Sequence, residues 1–283
     1  FLAGDCNNHI ISPITSSFDF IVTKEHRRFV EFCDACRRYR YIGLCYGPPG
    51  VGKTVSARSY ARQTLVEHLL TDSHMLDLPI YPEILESSTL LYTPSLAHSP
   101  SSLEKDIAEG RKQFNDLHYW MQSALDKQVV HELPVATKET TQLIVVDEAD
   151  RLKPIGLEQM RDIYDRSQLG LVLIGMPGIE KRLARYPQLY SRVGFVHHFR
   201  PLSNEEVNFV LQHKWQQLGL SLDLSDFTDS ESVTAIIRIT NGNFRLLQRL
   251  LSQVERVLQI NELHYITKEV VEAARELLII GPS

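Results

Sequence analysis

The stretch Gly47-Pro48-Pro49-Gly50-Val51-Gly52-Lys53-Thr54 fits the pattern G-x-x-x-x-G-K-[ST] at every fixed position. Glycines at these spacings let backbone N–H groups turn inward around phosphate oxygens, and a helix that opens at the lysine adds partial positive charge. Lys53 is placed to reach β- and γ-phosphates, and Thr54 to give its hydroxyl to Mg²⁺, with Val55 closing the set. The chemistry predicted is the binding of a nucleoside triphosphate, with ATP and Mg²⁺ as the cofactors.

A second constellation lies about a hundred residues on. Val145-Val146-Asp147-Glu148 ends an apolar run with two acids, the Walker B pattern. Such an acid at the carboxyl end of a buried strand sits beside the phosphate loop. Asp147 is expected to hold Mg²⁺ through water, and Glu148 to orient and polarise an attacking water. Phosphoryl transfer asks for positioning and charge stabilisation more than covalent chemistry, so these residue types suffice. Asp147-Glu148-Ala149-Asp150 also spells the signature of a helicase class, but neither that class's Ser-Ala-Thr segment nor its arginine-rich final motif is found.

Two arginines complete the candidate catalytic set. Arg192 stands just before an apolar stretch, where a ring-forming ATPase presents an arginine finger to its neighbour's γ-phosphate. Arg182 and Arg185 compete for that role. Arg245 opens a late helix whose N-terminus is expected to face back toward the phosphates.

The elements that must position these groups follow from periodicity. Tyr41–Tyr46, Thr89–Thr93, Gln142–Val146, Leu169–Gly175 and Phe195–Phe199 read as strands. Helices are expected over Lys24–Arg40, Val55–Glu67, Leu103–Gln128, Leu157–Ser167 and Pro177–Leu189, the last cut short by Pro187. Strands alternating with helices predict an α/β fold, a parallel five-stranded sheet with helices on both faces. After Arg200-Pro201 only helices follow, beginning with the capping box Ser203-Asn204-Glu205-Glu206. The expected division is an arm and helix over 1–40, a nucleotide-binding core over 41–200 and a small helical lid over 201–283. Phe18–Val22 is expected to touch the nucleotide base from the side.

Bulk properties bound the partners. The 283 residues carry 43% hydrophobic and 23% charged side chains and a net charge of −5. That composition is ordinary for a soluble protein, and no apolar run is long enough for a membrane span. The N-terminus lacks the basic and apolar regions of a signal peptide, so a cytoplasmic location is expected. Any contact with nucleic acid must use local basic patches. Candidates are Lys24, Arg27 and Arg28; Arg37, Arg38 and Arg40; and Lys181, Arg182 and Arg185, each more often a solvated helix face. Of the four cysteines, Cys33 and Cys36 form a C-x-x-C pair one helical turn apart. No second pair follows, so buried free thiols are expected rather than zinc.

Taken together, GPPGVGKT, IVVDEAD, a Ser-Arg pair before a strand and GNFR in a helical lid resemble the AAA+ ATPases over Phe18–Leu278. Within them the chain is similar to the DNA-transposition regulators TnsC, TniB and MuB. DEADRLKP, the following RDI and the segment from Leu171 to Leu183 carry that likeness. The resemblance implies an ATPase that assembles on double-stranded DNA as a homo-oligomeric ring or helical filament. It would mark a target site, recruit the transposase and disassemble on hydrolysis. A target-selection adaptor of the TniQ or TnsD type is the implied second protein partner. Compact members also serve RNA-guided transposons, where a TniQ-type adaptor joins them to the CRISPR complex.

The chain departs from that pattern after the fourth strand. Met176 stands where relatives often carry a polar sensor, which predicts slow hydrolysis or a sensor supplied elsewhere, while an arginine finger in trans would make turnover depend on assembly. For DNA, Lys105, Arg111 and Lys112 in the segment after the second strand are the candidate phosphate contacts. Two other readings share the motifs. A helicase loader or origin initiator usually adds a winged-helix domain, for which the five residues after Leu278 leave no room. A signalling NTPase switch normally carries long sensor repeats, and none is seen.

Overall fold

The computed structural model describes residues 20–71, 82–97, 99–126, 134, 137–217, 220, 222, 223 and 225–278. Five strands form one parallel sheet: β1 (Ile42–Tyr46), β2 (Thr89–Tyr92), β3 (Leu143–Val146), β4 (Gly170–Gly175) and β5 (Val193–His198). Their order across the sheet is β2-β3-β4-β1-β5, and all pairs are parallel, as the alternation of strands and helices predicts. β3 and β4 lie inside the sheet and are buried on both faces, which is why each reads as an unbroken apolar run. β5 is an edge strand, and its residues alternate between exposed and partly buried.

The helices that cover the sheet are α1 (Lys24–Tyr39), α2 (Lys53–Tyr60), α3 (Gln63–Thr71), α4 (Glu83–Glu86), α5 (Pro100–Leu125), α6 (Pro154–Arg166), α7 (Ile179–Leu183) and α8 (Pro187–Tyr190). One sequence expectation needs correction. The helix predicted over Val55–Glu67 is two helices, α2 and α3, broken at Arg62, whose φ of 54° is left-handed. The break lets Val66 and Leu69 pack with Ile84, Phe114, Leu117 and Met121, a cluster separate from the sheet. Periodicity could not find it, because no glycine or proline marks the turn. Pro187 does mark the break between α7 and α8, as expected of a ring that fits only a first helical turn.

Past Arg200 the chain forms α9 (Asn204–Gln217), α10 (Phe227–Thr240), α11 (Phe244–Ile260) and α12 (Lys268–Glu276). They enclose their own core around Trp215, Leu247, Leu250 and Val254. The capping box is formed. The Glu206 amide donates to Ser203 Oγ at 3.3 Å, and the Ser203 amide donates to Glu206 Oε2 at 3.0 Å. The same Glu206 carboxylate accepts the Glu25 amide at 2.9 Å, stitching α1 to the helical unit.

Cys33, Cys36 and Cys45 are buried free thiols. Burial pushes the Cys36 thiol up to about 12 and the Cys33 thiol well above its ordinary range, so neither ionises at neutral pH. Cys6 lies outside the described residues. Among the described residues no group of acids, cysteines and histidines could hold a metal by itself, and no helix is long and apolar enough to cross a membrane.

Candidate nucleotide site

Gly50 and Gly52 take φ values of 78° and 110°, which side-chain-bearing residues rarely adopt. With these turns, four successive loop carbonyls are all engaged. Lys53 Nζ donates to the Gly47 carbonyl at 2.6 Å and to the Pro48 carbonyl at 2.8 Å. Asn243 Nδ2 donates to the Pro49 carbonyl at 2.9 Å. The Arg245 amide donates to the Gly50 carbonyl at 2.8 Å. Two of the four bonds come from the loop's own lysine and two from the start of α11.

A cleft of about 290 Å³ opens beside the loop, lined by Lys53, Thr54, Val55, Asp147, Glu148 and Arg245 among others. The sheet order explains the meeting. β1 delivers the loop, and β3, two strands away across β4, delivers the acids at the same edge. Asp147 is buried, and its Oδ1 accepts the Glu148 amide at 2.9 Å. Glu148 takes a left-handed φ of 51°, and its carboxylate pairs with Arg151. Burial lowers the Lys53 pKa, partly opposed by Cys45, Asp147 and Asp150 and reinforced by Arg245.

Thr54 and Asp147 suit Mg²⁺ by donor chemistry, a hydroxyl and a carboxylate that both belong to residues lining the cleft. Met176 lines the same cleft, and its sulfur lies 3.9 Å from Lys53 Nζ. Its backbone amide donates to Asp150 Oδ2 at 2.6 Å, so a carboxylate stands beside the position where the sequence lacks a polar side chain.

Arg192 is not among the residues lining the cleft. Its guanidinium is held by Asp165 of α6, with Nε–Oδ1 at 2.6 Å and Nη2–Oδ2 at 2.9 Å. The competitor Arg182 is spent on the carbonyls of Asp150 and Leu152. Two of the three cations nominated for DNA are also engaged. Arg111 pairs with Glu139, and Lys112 with Asp116 at 3.5 Å. Lys105 is exposed on α5. In the basic clusters, Lys24 pairs with Glu205, Arg28 with the buried Glu25 and Arg37 with Asp34. Of the segment expected beside the base, residues 18 and 19 lie outside the described residues. Phe20 packs edge-on against His26, with centroids 4.6 Å apart.

Sequence reading missed Asn243, Asp150, Arg151 and Gln248 at this site. Asn243 carried a signal, being the residue before a strongly periodic helix. Its Oδ1 does cap α11, accepting the Leu246 amide at 3.1 Å.

A family described as an AAA domain matches residues 36–183. A Staphylococcus aureus protein called a potential ATP-binding protein is 45% identical over 281 residues, which span 95% of this chain and 99% of that one. The Mu-like prophage FluMu DNA transposition protein B of Haemophilus influenzae is 25% identical over 235 residues, 81% of this chain and 70% of that one. Among solved structures, the Thermotoga maritima RuvB Holliday junction branch migration motor aligns with a TM-score of 0.56 at 15% identity, covering 92% of this chain and 70% of that one. The Aeropyrum pernix ORC1 protein in complex with DNA aligns with a TM-score of 0.55 at 18% identity, covering 91% and 66%. At these identities the two structural likenesses speak for the fold alone.

Proposed function

This chain belongs to the AAA domain family, and on that footing we propose that it is an ATPase that regulates DNA transposition by assembling on duplex DNA. The observation that carries the ATPase reading is the convergence of Lys53, Thr54, Asp147, Glu148 and Arg245 on one cleft. The likeness to a transposition protein B over four-fifths of the chain supports the transposition reading.

In this reading residues 41–200 are the nucleotide-binding core, 201–283 the lid and 1–40 an arm and helix. The loop amides and Lys53 bind the triphosphate, and Thr54 and Asp147 hold Mg²⁺, which neutralises phosphate charge when bound. Glu148 orients the attacking water. Arg245 stabilises the γ-phosphate from the lid. Arg192, held at the surface by Asp165, reaches the phosphate of a neighbouring copy, so turnover depends on assembly. The ATP-bound assembly marks a DNA target and recruits a transposase, with an adaptor of the TniQ or TnsD type selecting the site. Lys105 is the cation of the segment after β2 that best suits a DNA phosphate, because Arg111 and Lys112 have acidic partners.

Duplex retention measured with and without an ATP analogue tests this reading. Retention only with the analogue supports it. Strong analogue binding with no retention on duplex favours a switch that does not use DNA.

A further inference from the structure

Carbonyl groups of a phosphate-binding loop compete with its amides for orientation, because one peptide plane fixes both. A loop that presents amides inward must turn carbonyls outward and satisfy them there. At this site Lys53 satisfies two carbonyls, at Gly47 and Pro48. Yet Lys53 is also the group that must reach a bound phosphate. Once it does, it is drawn from those acceptors, and the lid bonds to Pro49 and Gly50 remain. One of these comes from a backbone amide. The other depends on a side chain, that of Asn243.

We infer that Asn243 is a positioning residue that latches the lid to the phosphate-binding loop and sets the loop's readiness for triphosphate. Its carboxamide serves two elements at once. Oδ1 caps α11 through the Leu246 amide, and Nδ2 holds the Pro49 carbonyl. The fit is close: a Cβ added at Gly50 would lie 2.5 Å from Asn243 Oδ1. The loop must therefore be bare at residue 50 for the lid to approach. Because loop and lid share this bond, triphosphate binding holds the lid in place, and the docked lid favours binding by the same factor. The inference rests on the reading of the cleft as an ATP site.

The two functions of the side chain separate by substitution. Aspartate and serine both cap helices as well as asparagine does. Neither can make the second bond: ionised aspartate has no donor, and serine is too short to span to Pro49 while capping. The experiment measures affinity for a fluorescent ATP analogue and melting temperature in Asn243→Asp, Asn243→Ser and Asn243→Ala. Both capping variants are expected to melt closer to the parent chain than Asn243→Ala does, yet to bind the analogue about tenfold more weakly, as loss of one hydrogen bond allows. They should raise KM for ATP with kcat little changed. Asn243→Ala should lose both affinity and melting temperature. Parental affinity in Asn243→Asp and Asn243→Ser would overturn the latch. So would an affinity loss matched by a fall in melting temperature as large as in Asn243→Ala, which would leave helix capping as the residue's whole role. Failure of the parent chain itself to bind ATP would instead strike the underlying reading of the site.

Discussion

The Glu148 carboxylate is paired with the Arg151 guanidinium, and the same guanidinium donates to the Pro94 carbonyl at 3.1 Å. The residue assigned to water activation is thus tied to the loop that follows β2. A paired carboxylate is a poorer acceptor for a water proton than a free one. Arg151→Ala is expected to raise basal ATP turnover several-fold while leaving ATP affinity within twofold. Steady-state kinetics alongside analogue titration will check this, and a fall in turnover would mean that Arg151 supports the chemistry rather than restraining it.

Glu148→Gln keeps the shape of the side chain and removes its charge. Turnover is expected to drop by at least a hundredfold, within the range that general-base catalysis supplies. ATP affinity should hold, and ATP-dependent assemblies should live longer. Normal turnover in this variant would remove Glu148 from the mechanism.

Arg192 reaches Asp165 of its own chain rather than the cleft. Arg192→Ala should cut turnover of assembled protein by about a thousandfold, as an arginine finger does. Turnover at dilutions where the protein is monomeric should not change. An equal loss under both conditions would count against action in trans.

Burial holds the Lys53 pKa below its ordinary value of 10.5, so the folded chain releases this proton at lower pH than the unfolded one. The charged lysine costs the fold stability below its folded pKa, and that cost fades as pH rises through the folded pKa toward 10.5. Phosphate affinity runs the other way. ATP affinity should fall, while the ATP-free protein gains stability, over the same alkaline window below 10.5. Lys53→Met should abolish both trends. Persistence of the stability gain in that variant would assign it to another group.

Glu206 satisfies two amides at the junction between α1 and α9. Glu206→Ala leaves the buried Glu25 amide without its acceptor, at a cost of about 1–3 kcal/mol, while water can reach the Ser203 amide. Urea unfolding will measure this, and a loss under about 0.5 kcal/mol would show that water replaces the carboxylate.

How much of this was legible beforehand follows the range of each signal. The phosphate loop and the acidic pair are local strings whose chemistry is written in residue types, and the cleft brings both together. The strands were legible as apolar runs. Their order was not, because β1 pairs with β4 and β5 from far along the chain. Asn243 could be read as a cap from its neighbours, but its second bond goes to a loop 194 residues away. Lys112 and Asp116 are four residues apart on one helix, so that pairing was open to sequence reading. The Arg111–Glu139 pair was not, since it depends on how the chain returns to α5.

The central claim is ATP-gated assembly on duplex DNA. It is tested most directly by electron microscopy of the purified chain with random-sequence duplex and a non-hydrolysable ATP analogue. Rings or filaments are predicted only when duplex and analogue are both present, and Lys53→Ala should form none. The absence of any duplex binding with any nucleotide at low salt would contradict the account.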